Sequence, residues 1–229
     1  MTETSPQTSS LPIPALVIID MQQGMARPEG GARNNPQAEE NISRLLAAWR
    51  AAKATVVHVR HMSRTPGSPF WPGQAGAEFQ PKLAPLAGEH VMEKNVPDAF
   101  AVSGLERWLR QRGIETLVIT GVSTNNSVEA TARSAGNLGF QTRVVADACF
   151  CFEKTDYAGV KRSAADVHAM SLANLQGEYA EILDTAATLQ LIGATPVPPA
   201  SEKPGEIPVK GRPTVMAQAG ISTISDDKM

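Results

Sequence analysis

Residues 116–139 read TLVITGVSTNNSVEATARSAGNLG, and the order of residue types in this stretch decides the fold. Thr116-Leu-Val-Ile-Thr120 is a short apolar run rich in β-branched residues, which predicts a strand covered on both faces, and Gly121 ends it. Val128, Thr131, Ala132, Ala135 and Leu138 then recur at helical spacing until Gly139 closes the stripe. Between strand and helix lies Gly121-Val-Ser-Thr-Asn-Asn-Ser127. The first N–H groups of a helix have no partner within it, so a turn of this kind can face an anion.

The same alternation extends in both directions. Ala15-Leu-Val-Ile-Ile19 ends in Asp20, Ala54–Val59 is β-branched, His90–Glu93 is weaker, Thr142–Ala146 ends in Asp147, and Tyr179–Leu183 is a sixth candidate strand. Helical patterns separate them. Asn35-Pro36 reads as an N-cap with proline in the first turn, followed by Ile42, Leu45, Leu46 and Trp49 on one face. Ser103-Gly-Leu-Glu106 has capping-box spacing, with Leu105, Trp108 and Leu109 as the buried side and Gly113 as the stop. Ser163 is placed to cap a helix reaching about Gln176, and a last helix covers Thr185–Leu191. Strands and helices in alternation, joined by right-handed crossovers, predict a three-layer α/β/α sandwich.

Composition agrees with one such domain. The chain has 229 residues, 42% of them hydrophobic, so it can bury a core. With 21 basic and 23 acidic side chains and no basic patch, nucleic acid is not an expected partner. No apolar run is long enough to span a membrane, and the first residues show no secretory pattern. The two cysteines, Cys149 and Cys151, are too close for a disulfide framework and suit a reducing compartment, so a cytoplasmic location is expected. The organisation expected is an extension over 1–11, a domain over 12–193, and a Pro-rich tail or arm over 194–229. Ser63–Leu86 is a long Gly- and Pro-rich insertion of the kind that usually carries function.

Open parallel sheets bind ligands beyond the carboxyl ends of their strands. Three residues fall there: Asp20 after the first strand, Lys94 after the third, and Ser127 in the turn after the fourth. Each alone has an ordinary reading, as a cap, a surface charge or a first-turn residue. Together, an acid, a cation, a small nucleophile and free N–H donors make an acyl-transfer site. The residues expected to contact a small-molecule substrate are Gln23 and Met25 after Asp20, His61 near a strand end, Phe70 and Trp71 in the insertion, and Phe100 behind Lys94. Phe70 and Trp71 serve equally well as packing against a neighbouring subunit. His58, His90 and His168 read as structural, and the two cysteines as buried thiols.

Leu16-Val-Ile-Ile-Asp-Met-Gln22, Glu93-Lys94 with Ala99-Phe100, and Gly121–Arg133, continued by Gly139-Phe140 and Asp147-Ala148, resemble the isochorismatase-like, or cysteine hydrolase, superfamily over about residues 12–193. The resemblance implies a six-stranded parallel sheet in the order 3-2-1-4-5-6, which sets Asp20 and Ser127 at one crevice. It implies an Asp-Lys-Cys site in which Asp20 moves the proton and Lys94 balances charge. It also implies a cis peptide at Val122–Ser123 and an oxyanion hole from the N–H groups of Ser123 and Ser127. No cofactor is implied, and a homodimer or homotetramer is. The family's nicotinamidases carry a metal cluster after the second strand, but His58-Val-Arg-His61 lacks that pattern, so no metal is expected.

The chain departs from the family at position 127, where amidohydrolases carry the nucleophilic cysteine. A thiol is readily ionised beside a cation and a helix N-terminus, whereas a hydroxyl normally needs a base. Four readings stand open: an engineered Cys→Ser change, a natural serine branch (which Asn-Asn-Ser-Val-Glu suggests), an isochorismatase-type vinyl-ether hydrolase with Asp20 as general acid, and a non-catalytic binding protein. The turn lacks the Gly-Val-Tyr-Ala-His pattern of true isochorismatases. The expectation is a hydrolase of a small amide, ureido or related C–N substrate.

Overall fold

The computed structural model describes residues 13–26 and 31–193. The extension over 1–11 and the tail over 194–229 lie outside the described residues. Six parallel strands form one sheet in the order β3-β2-β1-β4-β5-β8. They are β1 (Ala15–Ile19), β2 (Val56–His61), β3 (His90–Lys94), β4 (Thr116–Val122), β5 (Gln141–Phe150) and β8 (Glu181–Leu183). Among the described residues, five α-helices accompany them: α1 (Ala38–Ala51), α2 (Leu105–Arg110), α3 (Glu129–Asn137), α4 (Ala164–Leu175) and α5 (Thr185–Gln190).

Residue alternation in β1 explains the three layers. Ala15, Val17 and Ile19 enter one core with Leu105, Leu109, Ala132, Ala135 and Leu175 from α2, α3 and α4. Leu16 and Ile18 enter a second core with Ile42, Leu45, Leu46 and Trp49 of α1 and Leu189 of α5. β1 is thus buried on both faces, which is why its sequence is continuously apolar rather than alternating. Trp49 is fully buried, and its indole N–H donates to the Pro14 carbonyl at 2.7 Å.

The boundaries differ from the sequence reading in instructive ways. Asn35 does not cap α1. It adopts φ +45°, and its side-chain amide donates to the carbonyls of Ala146 and Cys149, tying the approach to α1 onto β5. Ser103 does not form a capping box. Its hydroxyl donates to the Ala99 carbonyl and accepts from the Leu105 N–H, a local turn ahead of α2. Ser163 does cap α4, accepting from the Asp166 N–H at 3.1 Å. Gly113 and Gly139 take left-handed φ just past α2 and α3. β5 does not end at Asp147 but runs to Phe150, with a register shift against β4 between Ile119 and Gly121. A two-strand hairpin, β6 (Lys154–Thr155) and β7 (Lys161–Arg162), intervenes before α4, so the sixth sheet strand is β8. Tyr179 and Ala180 belong to the turn before it, both donating to the Leu175 carbonyl.

The Ser63–Leu86 insertion is fastened to the chain after β1. Gln22 bridges to Phe79, the Gln23 N–H donates to Glu78, and the Gln80 N–H donates to Met21. No described helix is long and apolar enough to cross a membrane.

Candidate active site

Three strand ends converge on one point. Asp20 follows β1 in a left-handed conformation, φ +53°, which costs on the order of 1–3 kcal/mol in a residue with a Cβ. Its own N–H is held by the Val59 carbonyl of β2 at 2.9 Å, and its carbonyl accepts the Gln22 N–H at 2.7 Å. Lys94 is the last residue of β3. β2 lies between β3 and β1, so the two backbones stand about 9–10 Å apart at the usual strand spacing. Only a long cationic side chain bridges that gap, and Lys94 does: its ammonium donates to Asp20 Oδ2 at 2.6 Å.

Ser127 comes from the far side of β1. β4 lies against β1 so tightly that a Cβ on Gly121 would stand 2.1 Å from the Ile19 carbonyl oxygen, and Gly121 also has φ +123°. Glycine is therefore required at the point where the chain leaves the sheet. The Val122–Ser123 peptide is cis. A single π-helical turn, Thr124–Val128, precedes α3, and the N–H groups of Asn126 and Val128 both return to the Ser123 carbonyl. This turn presents the Ser127 hydroxyl to the Lys94 ammonium, which donates to it at 3.3 Å.

The cluster is nearly dry. The side chains of Lys94 and Asp20 are 0% and 1% exposed, and Ser127 is 6% exposed. Burial pushes the Asp20 carboxyl above the ordinary carboxylate range, against the opposing pull of Lys94, the Ser127 hydroxyl and His61. Asp20 Oδ1 has no hydrogen-bond partner among the described residues. The site thus holds a buried carboxylate with one oxygen on a cation and the other free, beside a hydroxyl on the same cation.

The structure also assigns positions to the expected contact residues. His61, at the end of β2 and in register with Lys94, is electrostatically coupled to both Asp20 and Lys94. Burial, then the Lys94 ammonium, hold its imidazole below the ordinary histidine value. Phe70 meets the His61 ring edge-on at 6.1 Å, bringing the insertion to this rim. Trp71 turns within the insertion, its N–H bonded to the Ser68 carbonyl. Gln23 is exposed and spends its side-chain amide on the Phe79 carbonyl, while Met25 packs on the α1-side core. Phe100 lies elsewhere. Asp98 accepts the Phe100 N–H with one oxygen and the Ser134 hydroxyl with the other. That leads the chain down along α3, and the Phe100 ring packs at a tilt against Phe140, centroids 5.7 Å apart, just before β5 begins at the opposite end of the sheet.

One contributor, Gln22, escaped the sequence reading as an individual site residue. Gln22 is fully buried; its amide donates to the His61 and Ala77 carbonyls at 2.9 and 2.8 Å and accepts the His61 N–H at 2.8 Å. It locks β1, β2 and the insertion together beside Asp20. A glutamine three residues past the end of a buried strand was the available signal. His168 of α4 is structural, as its sequence context suggested: its Nδ1 lies 2.9 Å from the Thr124 hydroxyl, and Ser171 donates to the Thr124 carbonyl at 3.0 Å. α4 thereby braces the turn that carries Ser127. Cys149 and Cys151 are fully buried, and burial pushes their thiols up to about 12 and about 11. Among the described residues no group of three His, Cys, Asp or Glu side chains is placed to hold a metal ion.

Comparison with known proteins places this geometry in context. The isochorismatase domain model matches residues 14–187. A solved isochorismatase-family structure from Chromobacterium violaceum is 49% identical and superimposes with a TM-score of 0.79, covering 83% of this chain and 99% of that one. The uncharacterized isochorismatase family protein YrdC of Bacillus subtilis is 39% identical over 171 residues, 75% of this chain and 91% of that protein. Streptothricin hydrolase of Streptomyces noursei is 32% identical over 196 residues, 83% of this chain and 68% of that protein. With the sheet order, the three converging strand ends and these matches in agreement, the chain belongs to the isochorismatase family of hydrolases.

Proposed function

We propose that this protein hydrolyses the C–N bond of a small amide, ureido or related substrate at Asp20, Lys94 and Ser127, with no cofactor. The observation that carries the reading is the buried contact of the Lys94 ammonium with both the Asp20 carboxylate and the Ser127 hydroxyl. Three relatives bear amidohydrolase or related hydrolase names: streptothricin hydrolase, maleamate amidohydrolase of Pseudomonas putida and nicotinamidase/pyrazinamidase of Mycobacterium tuberculosis.

The chemistry follows from the contacts. Lys94 donates to Ser127 Oγ, so the hydroxyl proton is free to point at Asp20. Asp20, whose basicity burial has raised, takes that proton as Oγ bonds to the substrate carbonyl carbon. The N–H groups of Ser123 and Ser127 hold the developing oxyanion. Collapse breaks the C–N bond, and Asp20 returns its proton to the leaving nitrogen. A water then repeats the sequence on the Ser127 ester. Attack by water directly, with Ser127 as its anchor, uses the same groups.

The test is an amide and ureide hydrolysis screen with the wild type, Ser127→Cys and Asp20→Asn. The proposal expects turnover by the wild type that Asp20→Asn abolishes while the fold is retained. It also expects an acidic limb of the rate profile above the ordinary aspartate value of about 3.9, because activity needs the ionised and up-shifted carboxylate. Turnover by the cysteine variant alone would make the serine site inactive, and turnover by Asp20→Asn would remove its assigned role. Silence from every form, with small amides still raising the melting temperature, would favour a binding protein.

A further inference from the structure

The turn that carries Ser127 is gripped by α4 at both of its ends. Thr124, fully buried, opens the turn. Its hydroxyl lies 2.9 Å from His168 Nδ1, and its carbonyl accepts the Ser171 hydroxyl at 3.0 Å. Glu129 follows the turn as the first residue of α3. Its Oε2 lies 2.6 Å from the same Ser171 hydroxyl, and its Oε1 pairs with Arg133 at 2.8 Å. His168 and Ser171 are three residues apart and so share one face of α4. Ser127 sits between the two ends that this face holds.

The turn depends on such support. A π-helical turn is rare and occurs mostly as a single turn at a helix. Inside the site, the Lys94 ammonium reaches the Ser127 hydroxyl at 3.3 Å, longer than the usual range of roughly 2.7–3.2 Å for such a bond. A small displacement of the turn therefore strengthens or loses this contact.

We propose that His168 is a positioning residue for the reaction: through Thr124 it sets the place of the position-127 side chain against Lys94, and with it that side chain's reactivity. Ser171 is the second half of the same hold. The inference rests on the reading of Ser127 as the reacting group. It goes beyond the stability of the fold, because the hold is a hydrogen bond at Nδ1 and not the bulk of the ring.

The test needs no substrate. Ser127→Cys puts a thiol at this position, and a thiol ionises more readily the closer it lies to a cation. The pH midpoint of its alkylation by iodoacetamide reads that ionisation, while altered access changes only the plateau rate. Cys149 and Cys151 are fully buried, and the wild type, which carries both, gives the background. In Ser127→Cys the midpoint is expected well below the free-thiol value of about 8.5. Adding His168→Leu should raise it by about one pH unit, as a weakened contact with a neighbouring cation does. His168→Asn, whose amide reaches where Nδ1 stands, should bring the midpoint back. His168→Gln, whose amide reaches where Nε2 stands, should not. Thr124→Val should act as His168→Leu does, and the two together should add nothing further. Met170→Ala, at an exposed position of α4, should leave the midpoint unchanged. Asp20, Lys94, His61 and Glu129 are untouched in every variant. Should His168→Leu fail to fold, the contrast between the asparagine and glutamine variants still decides. A low midpoint that ignores every change at His168 would overturn the proposal alone. A midpoint near 8.5 in Ser127→Cys itself would overturn the reading of position 127 as an activated group, and the proposal with it.

Discussion

At the scale of the residue, the candidate site is a problem of burying charge. Lys94 and Asp20 are both withdrawn from water and are tolerated because each faces the other at 2.6 Å. Removing one partner of such a pair typically costs about 3–5 kcal/mol, since the other is left charged and dry. Lys94→Met should therefore destabilise the protein by that order at neutral pH. The sign of its pH dependence follows from Asp20, whose folded-state pKa is already raised by burial. A raised pKa means that ionisation opposes folding, so Asp20's contribution is fullest below its unfolded value and lost as pH rises through the folded value. Without Lys94 the folded value rises further, and acidification should return much of the lost stability by neutralising Asp20. Urea titrations of wild type and variant near pH 7 and near pH 5 measure this, and an equal gap at both would contradict it.

At the scale of the element, Glu89 does for the β2–β3 crossover what Lys94 does for the site. Its carboxylate accepts from Arg50 of α1 at 2.7 Å, from the Leu86 N–H at 2.8 Å, and meets His58 of β2 at 2.8 Å. Burial alone would raise its pKa, but the Arg50 contact, the Leu86 N–H and His58 outweigh it and hold the carboxyl at about 2. A lowered carboxylate pKa stabilises the fold above the unfolded value, and that stabilisation is lost as pH falls through the folded value. Glu89→Gln should thus cost about 1–2 kcal/mol at neutral pH, less than the full shift would give because solvent screens this partly exposed carboxylate, and the gap should narrow from about pH 4.5 toward pH 2. Denaturation midpoints across that range measure it; a gap that stays constant on acidification would assign the loss to packing instead.

The elements also show what was legible in the sequence. Central strands and the amphipathic helices read correctly because their signal is local: β1 is apolar throughout, and Ile42, Leu45, Leu46 and Trp49 share a face of α1. The β6–β7 hairpin did not read, because strands of two residues have no period. Asn35 looked like a cap because its partners, the Ala146 and Cys149 carbonyls, lie more than a hundred residues away. Phe100 stands close to Lys94 along the chain, yet Asp98 turns the backbone away between them. Asp20, Lys94 and Ser127 could be singled out as strand-end residues, but their meeting depends on the sheet order, which came from family resemblance rather than from any local pattern.

At the scale of the whole molecule, the two cores share one sheet, and β5 joins them: Cys149 belongs to the core on the α3 side, while Ala148 and Phe150 belong to the core on the α1 side. Exposing Cys149 therefore requires opening the sheet between both layers. Cys151 is equally hidden, its thiol set against the Ala164 carbonyl at 3.3 Å where α4 begins. Both thiols are held far above the range in which thiolate forms at neutral pH. Neither should react with an alkylating or disulfide reagent in the native protein, and both should react after denaturation. If the layers part only in global unfolding, the labelling rate of the native state should fall as measured stability rises, at the same slope for both positions. Faster labelling of Cys151 alone would mean that α4 lifts from the sheet by itself, and with it the His168 and Ser171 brace on the turn that carries Ser127.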